Sequence, residues 1–326
     1  MTSAQPRLIF VVGVGRSGTS LLQSMMAAHS KISYLPETSF FRRYVSTKSL
    51  GKLYERDGKR SVVDTLNADP HFLRLGLDAS RIVDASMDAG GNLDLAIYTR
   101  ILRSFVRGET YFVGDKDPRM IEYLPLLAAC FSRCVVVNMV RDPRDVIVSK
   151  KKADWSAGRH VWAYVFANRV QMKSAVWYGE RRFGRRYLEV VYEDLIDKPE
   201  GTLRRICTAI GLDFEYSMLT FGDAAKKLVA NNEMAWKKET LGPLLASNKN
   251  KWKEELPRRE VRLTELCCKD AFKIGNYTLE TGTRALGLPN MLWVFTGYCI
   301  VVAATYPYLL LRFFGLSHRW KNPAKS

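Results

Sequence analysis

Two continuous apolar runs, each followed by a basic turn, dominate the hydrophobic pattern of this chain. The run from Leu8 to Val12 is rich in β-branched side chains, as expected for a strand covered on both faces. The run from Val135 to Val140 has the same character. An apolar-rich stretch, Leu21 to Ala28, follows the first turn and predicts a helix. Repeated strand–turn–helix units predict an α/β fold with a central parallel sheet.

The turn after the first run has the composition of an anion site. It holds glycines, one basic side chain and three hydroxyls, and its candidate binding residues are Gly15, Arg16, Ser17, Gly18, Thr19 and Ser20. Glycine lets the backbone approach a ligand closely. The free N–H groups and the positive dipole end at a helix start attract negative charge. We therefore predict that this turn binds a phosphate-like group.

Three known loops share this layout. The stretch resembles a Walker A loop, but Thr19 stands where the phosphate-gripping lysine is expected, which argues against an NTPase. Residues 13–18 also read G-x-G-x-x-G, and Glu37 follows about 20 residues later, as a dinucleotide site would require. The third is the phosphosulfate loop of sulfotransferases, in which Arg or Lys precedes Ser-Gly-Thr-(Thr/Ser). Arg16 to Ser20 fits that loop without a gap.

The turn after the second apolar run distinguishes these alternatives. It reads RDPRD over residues 141–145, and Ser149 lies eight residues after Arg141. This resembles the sulfotransferase site in which an Arg and a Ser grip the 3′-phosphate of PAPS (3′-phosphoadenosine 5′-phosphosulfate), and an arginine fork suits a phosphate. The chain is thereby identified as resembling the PAPS-dependent sulfotransferases. That resemblance implies a three-layer, P-loop-like α/β fold with PAPS as donor.

Two further segments extend the resemblance to about residues 7–256. Tyr192, in LEVVYEDL, matches the family tyrosine that packs near the adenine. Residues 247–257, SNKNKWKEELP, resemble the basic loop that closes over the nucleotide. By this resemblance, Lys249 and Lys251 are candidates for phosphate contact.

Within the family, the pattern is most similar to that of tyrosylprotein and related bacterial and Golgi-type enzymes. The Glu-Thr pair at Glu37 implies that this residue is the general base, and the Lys-Asp-Pro segment at Lys116 implies that this lysine supports the transition state. In an in-line transfer, Arg16 and Lys116 would face the charge growing on the leaving phosphate. Glu37 would take the proton of the acceptor hydroxyl. A lipid-linked, a carbohydrate and a peptide acceptor all stay open.

Composition and net charge limit the classes of binding partner that we expect for this chain. The 326 residues carry a net charge of +17, which suits a doubly phosphorylated donor and an anionic membrane surface. We expect no nucleic-acid partner, because no helix-turn-helix, zinc-finger or RNA-binding signature is present. The six cysteines form no CxxC pair and the four histidines are scattered, so we predict neither a disulfide framework nor a metal site. The N-terminal apolar run is too short for a signal peptide.

A long uncharged segment follows near the C-terminus. Residues 285–311 hold no charge over 27 positions, whereas about 20 apolar residues cross a bilayer. Aromatic side chains near both ends suit the membrane interfaces. The basic tail after it prefers the cytoplasm, which conflicts with one simple crossing from a cytoplasmic domain. Spanning, re-entrant and interfacial placements stay open, and we expect a membrane-associated protein whose catalytic domain faces the cytoplasm.

The predicted organisation is a sulfotransferase domain over residues 1–280, a hydrophobic membrane segment over 285–316 and a basic tail over 317–326. Residues 40–110 are rich in charge and short amphipathic pieces such as Leu93 to Val106, and are expected to form helices that select the acceptor. The alternative functions are a P-loop kinase or NTPase, and a non-catalytic nucleotide-binding membrane protein. The sequence leaves the oligomeric state open.

Overall fold

The computed structural model describes residues 6–87, 91–154, 156–228, 248–280 and 286–313. Within them, five strands form one parallel sheet in the order β2-β3-β1-β4-β5. The strands are β1 (Arg7–Gly13), β2 (Ile32–Tyr34), β3 (Phe112–Lys116), β4 (Val135–Val140) and β5 (Tyr187–Val191). Both apolar runs are therefore strands, and the predicted α/β fold with a central parallel sheet is confirmed.

Helices cover both faces of the sheet and form the C-terminal part of the described chain. In chain order they are α1 (Thr19–Ala27), α2 (Ser49–Asn67), α3 (Pro70–Leu73), α4 (Ala79–Met87), α5 (Leu93–Arg103), α6 (Leu124–Cys130), α7 (Pro143–Lys152), α8 (Val161–Phe183), α9 (Tyr192–Asp197), α10 (Pro199–Ile210), α11 (Gly222–Leu228), α12 (Trp252–Glu255), α13 (Arg258–Cys267), α14 (Lys269–Gly275) and α15 (Leu288–Phe313). One π-helical turn spans Phe41–Val45, and 3-10 turns span Pro118–Tyr123, Gly184–Arg186 and Tyr216–Leu219.

The central strand shows why three layers form. Successive side chains of a strand point to opposite faces, and β1 is apolar on both. Phe10 and Val12 pack into a core with residues of α2, α4, α5 and α6, while Ile9 and Val11 pack into a second core with residues of α1 and α10. All four side chains are fully buried. The continuous apolar run therefore holds two helical layers against one sheet.

The region predicted to be helical, residues 40–110, holds α2 to α5 in the described part of the chain. The amphipathic piece predicted from Leu93 begins at that residue, since the Asn92 side chain accepts a hydrogen bond from the Leu95 N–H at 3.2 Å. These helices pack around an aromatic cluster, in which the rings of Phe40 and Tyr98 are stacked with their centres 5.6 Å apart. An acceptor-selecting role for these helices stays a prediction.

The C-terminal helix α15 packs on α8 and α13 within a third core. By length and composition alone it is apolar enough to cross a membrane, yet part of its surface is buried against the domain. The predicted basic tail, residues 317–326, lies outside the described residues, as do residues 285 and 314–316. The predicted division at residues 280 and 285 stays a prediction.

Candidate functional site

The candidate site lies along one edge of the sheet. All five strands are parallel, so their carboxyl ends share that edge, where α/β proteins commonly bind ligands. Gly13 at the end of β1 pairs with Met139 of β4, and Val11 pairs with Lys116 at the end of β3. The turn after β1 is therefore flanked by the residues that follow β3 and β4. Predicted site residues such as Arg16, Lys116 and Arg141 lie in these connections or at the strand ends beside them.

The turn after β1 leads directly into helix α1. Gly18 precedes the helix with φ at 93°, a left-handed conformation that favours glycine. A Cβ at Gly18 would lie 2.4 Å from the Tyr192 ring, so close packing also requires glycine here. Ser17 is buried, and its hydroxyl donates to the Val14 carbonyl at 2.6 Å, which ties the turn together. Within the described part of the chain, no side chain caps the start of α1, so its first N–H groups suit an anion.

The two predicted phosphate elements meet at this edge. Nε of Arg16 donates to the Ser149 hydroxyl of α7 at 2.9 Å, and Arg141 donates through Nη1 to the Arg16 carbonyl at 3.1 Å. Arg16 itself has φ at 78°, in the left-handed region that non-glycine residues rarely adopt. The glycine-rich turn and the Arg141–Ser149 element, 125 residues apart, therefore form one cationic cluster.

Arg141 is held in place by neighbours on three sides. It is 6% exposed, its guanidinium lies 4.3 Å from the centre of the Tyr192 ring, and Nη2 donates to the Asn248 carbonyl at 2.6 Å. The Asn248 amide in turn donates to the Tyr192 hydroxyl at 2.9 Å. Among the described residues, Nε of Arg141 is a buried donor without a partner. A positioned cation with a spare donor fits an anionic ligand.

The segment that carries the two candidate lysines lies next to these groups. The backbone N–H groups of Asn250 and Trp252 donate to the Asp145 carboxylate of α7 at 2.7 and 3.0 Å. The Lys249 ammonium pairs with Asp197 at the end of α9. Lys251 precedes α12. The structure thus brings the segment to the cluster, although it pairs Lys249 with a carboxylate.

Glu37 and Lys116 form an ion pair. The Lys116 ammonium, whose side chain is 1% exposed, donates to the Glu37 carboxylate, whose side chain is 23% exposed. The pairing of β2 with β3 brings these two side chains together. A hydrogen bond from the Leu35 N–H to the Gly114 carbonyl, at 3.1 Å, extends that strand pairing towards Glu37. A buried cation therefore holds a carboxylate that remains open to solvent. The catalytic roles that the resemblance implies for these two residues stay predictions.

Two further charged side chains extend this pair. Nε of Arg42 donates to the Asp117 carboxylate at 3.1 Å, and its Nη2 donates to the Ser39 hydroxyl at 2.8 Å. Asp117 also accepts the Arg119 N–H at the start of the 3-10 turn. The sequence did not single out Arg42, whose partner Asp117 is 75 residues away.

Asp115, directly before Lys116, is a fully buried carboxylate that the sequence did not single out. It accepts hydrogen bonds from the Tyr98 hydroxyl at 2.8 Å and from the Lys116 N–H at 2.7 Å. Burial raises the pKa of Asp115 to about 7; the neighbouring Asp117 and Glu37 carboxylates add to this, while the Tyr98 hydrogen bond opposes it. This acid therefore changes charge near neutral pH.

Replacing Asp115 with Asn should reduce the pH dependence of stability. Because the folded-state pKa of Asp115 lies above the unfolded value of 3.8, its contribution is fully present below that value and is lost as pH rises through about 7. Relative to wild type, Asp115→Asn should gain stability on the order of a few kcal/mol between about pH 4 and pH 8. Urea unfolding at several pH values measures this. Parallel pH profiles for the two proteins would contradict it.

The edge therefore carries two sets of charged groups: a cationic cluster that suits an anion, and a carboxylate–ammonium pair at the end of the strand next to β1. Within the described residues, no group of three His, Cys, Asp or Glu side chains is placed to hold a metal ion. The prediction of a metal-free reaction rests on the sequence and stays a prediction. The combination suits group transfer from a phosphorylated donor to a group that must lose a proton.

Comparisons with known proteins point to one family. A family model described as the sulfotransferase family matches residues 6–216. Protein-tyrosine sulfotransferase 1 of Danio rerio is 29% identical over 139 residues, which cover 42% of this chain and 33% of that relative. Protein-tyrosine sulfotransferase 2 of Gallus gallus is 26% identical over 223 residues, which cover 67% of this chain and 54% of that relative. The chain thus spans about a third to a half of these relatives' lengths.

A solved structure shares the fold. The sulfotransferase domain of the Synechococcus PCC 7002 olefin synthase superposes with a TM-score of 0.58 at 21% identity. The superposition covers 86% of this chain and 98% of that domain. This agreement confirms the predicted P-loop-like, three-layer architecture.

Proposed function

The chain belongs to the sulfotransferase family, and from this premise we propose that it moves a sulfuryl group from PAPS to an acceptor hydroxyl. The observation that carries the proposal is the contact between the turn after β1 and the Arg141–Ser149 element, through the 2.9 Å bond from Arg16 to Ser149. A nucleotide phosphorylated at both its 5′ and 3′ positions would engage both elements at once. A plain NTP would leave the second without a ligand.

The residues present fit such a donor. The uncapped start of α1 and the Arg16 side chain would hold the 5′-phosphosulfate. The spare Nε donor of Arg141 and the Ser149 hydroxyl would hold the 3′-phosphate. Tyr192, stacked on Arg141, would pack near the adenine. Lys249 and Lys251 remain candidates for phosphate contact, Lys249 only if its bond to Asp197 opens.

Transfer requires one new bond, one broken bond and one proton acceptor. The acceptor oxygen would bond to sulfur while the bond from sulfur to the bridging oxygen breaks, and 3′,5′-ADP would leave with that oxygen. The acceptor's proton would pass to the Glu37 carboxylate, which is 23% exposed and therefore reachable. Lys116, already hydrogen-bonded to Glu37, and Arg16 would stabilise the charge that grows on the leaving phosphate.

The acceptor is proposed only as a hydroxyl, whether lipid-linked, carbohydrate or peptide. The apolar helix α15 and the excess of basic residues support association with a lipid bilayer. A catalytic domain that faces the cytoplasm remains part of the proposal, since the predicted basic tail favours that side.

The test follows the fate of the sulfuryl group. Full-length protein is incubated with PAPS carrying radioactive sulfur and with a panel of tyrosine peptides, sugars and hydroxyl amphiphiles in vesicles. A parallel reaction contains ATP labelled at the γ-phosphate. We expect labelled sulfur on at least one organic acceptor, with an equal amount of 3′,5′-ADP formed.

Other outcomes separate the rival functions. Phosphate release or transfer from ATP without sulfur transfer would identify a kinase or NTPase. Binding of nucleotide with turnover of neither donor, on any acceptor, would favour a non-catalytic nucleotide-binding protein. Either result would overturn the proposed reaction.

A further inference from the structure

The inner face of α15 is docked on the domain along most of the helix. Its buried positions recur every three or four residues and are Val294, Gly297, Val301, Thr305 and Leu309. A Cβ at Gly297 would lie 2.6 Å from Nε1 of Trp162 on α8, so the two helices pack closely. The helix has 26 residues and is about 39 Å long at a rise of about 1.5 Å per residue. Most of that length runs against the domain.

Polar contacts fix the second half of this face. Arg169 of α8 donates to the Thr305 hydroxyl at 3.2 Å, and Arg312 donates to the Glu122 carboxylate at 3.0 Å. The side chains of Glu122 and Arg312 are 3% and 10% exposed. If α15 crossed a bilayer while docked, these charged side chains would enter the hydrocarbon, which is strongly unfavourable. The docking therefore favours a helix that lies along a membrane surface.

The outer face of α15 is a continuous apolar surface. Its large exposed side chains are Leu288, Met291, Leu292, Phe295, Ile300, Tyr306, Leu310 and Leu311. Residues 288–311 include no charged side chain. Water-soluble surfaces rarely expose an apolar stripe of this length, and such stripes mark interaction sites.

Aromatic groups border this outer face at both ends, and an arginine borders its start. Near its start, the Arg259 guanidinium lies 4.9 Å from the Trp293 ring, which lies 5.5 Å from the Trp162 ring. Near its end, the rings of Trp177 and Tyr306 lie 6.1 Å apart. Trp and Tyr concentrate at the headgroup level of bilayers, and arginines there attract anionic lipids. The border therefore has the chemistry of a membrane interface.

We propose that the outer face of α15 lies in one leaflet of an anionic bilayer, parallel to the membrane surface, and that the protein is monotopic. This inference rests on the membrane association within the proposed function and specifies its geometry. The charge of the protein favours a bilayer over a second copy of the chain as the partner that covers this outer face. Two copies meeting face to face would bring two arginine borders of net-positive chains together, whereas an anionic leaflet attracts both borders.

Vesicle flotation of the full-length protein tests this geometry. Wild type is compared with Phe295→Glu on the outer face and with Leu73→Glu on α3 as a matched control, since these positions are 66% and 57% exposed. We expect wild type and the control to float with phosphatidylcholine–phosphatidylglycerol vesicles at high salt. The Phe295→Glu partition coefficient should fall about 10- to 150-fold, because one bulky side chain no longer enters lipid.

A labelling measurement tests whether lipid covers the outer face, and a protease measurement separates a surface helix from a spanning helix. Cys299 is exposed on the outer face, whereas the other five cysteines are buried or half-buried. A water-soluble maleimide should label Cys299 of free protein but not of vesicle-bound protein. A peptide tag fused after Ser326 should stay cleavable by protease added outside the vesicles. Protection of that tag would indicate a crossing and overturn the proposal.

Flotation that Phe295→Glu leaves unchanged would also overturn it. So would a lipid-free dimer that Phe295→Glu dissociates and that does not float, since a second copy would then cover the face. Binding of 3′,5′-ADP is measured on every variant. Absence of 3′,5′-ADP binding by the wild-type protein would count against the proposed enzymatic function. Absence of flotation of the wild-type protein with intact nucleotide binding would count only against the bilayer contact.

Discussion

Replacing Glu37 with Gln is expected to lower turnover about 10²- to 10⁴-fold, the usual effect of losing a general base. Glutamine keeps the size of the side chain, and its carbonyl can still accept the Lys116 hydrogen bond, but it cannot take a proton at neutral pH. Affinity for 3′,5′-ADP should stay nearly unchanged, because Glu37 follows β2, pairs with Lys116 and is proposed to act on the acceptor. Turnover is measured with whichever acceptor the labelled-sulfur panel identifies.

The matched control is Glu109→Gln, which changes an exposed glutamate that precedes β3, whereas Lys116 lies at the opposite, carboxyl end of that strand. It should keep wild-type turnover. If Glu37→Gln does the same, another residue is the base, and the similarity to tyrosylprotein enzymes does not extend to the reaction. If Glu37→Gln instead weakens nucleotide binding, the carboxylate supports the donor site rather than the acceptor.

Among the groups that contact the C-terminal end of α15, the Glu122 carboxylate should contribute most to the stability of the protein. It accepts hydrogen bonds from Gln171 at 2.8 Å and Tyr308 at 2.7 Å, and pairs with Arg119 and Arg312. Removing one partner of a buried ion pair leaves uncompensated charge and costs about 3–5 kcal/mol. Glu122→Ala should therefore lower the free energy of unfolding by about that amount.

Urea unfolding of Glu122→Ala, with Glu109→Ala as the exposed control, measures this loss. The double variant Glu122→Ala, Arg312→Ala should lose less than the sum of the two single variants, because it removes both partners of the Glu122–Arg312 pair. A loss below about 1 kcal/mol for Glu122→Ala would mean that α15 is not docked as described.

The pH dependence of this network has a defined sign. Burial alone would raise the pKa of Glu122, but the charges of Arg119 and Arg312 and the hydrogen bonds from Arg119 and Gln171 lower it to about 2. A carboxylate with a depressed folded-state pKa stabilises the protein above the unfolded value of 4.5, and this contribution is lost as pH falls towards about 2. The contribution of Glu122 to the stability of the docked helix should therefore be fully present at neutral pH.

Local sequence patterns predicted much of the fold and of the candidate site. The apolar runs at residues 8–12 and 135–140 proved to be adjacent strands, and the turns that follow them contain Arg16, Arg141 and Ser149, which meet in space. Such units are readable because a buried strand, a glycine turn and a helix start each have a short-range signature. Motif resemblance implied catalytic roles for Glu37 and Lys116 but not their contact, which arises from the pairing of β2 with β3.

Contacts between residues that are far apart in the sequence could not be predicted from it. Nothing near Asp115 in the sequence indicates that Tyr98 donates to it, and nothing near Arg42 indicates Asp117 as its partner. Hydropathy identified the segment that contains α15, but an average over the segment does not tell which face is covered. That face is set by Arg312 meeting Glu122 across 190 residues, through a fold that depends on the whole sheet.

The central claim, that the donor is PAPS, is tested most directly by calorimetric titration of the wild-type protein with 3′,5′-ADP and with 5′-AMP. The two ligands share adenosine and the 5′-phosphate and differ in the 3′-phosphate assigned to Arg141 and Ser149. One charge-assisted contact contributes about 1.5–3 kcal/mol, so 3′,5′-ADP should bind about 10- to 150-fold more tightly. Arg141→Ala should remove most of that difference. Equal Kd values for the two nucleotides on the wild-type protein would contradict the claim.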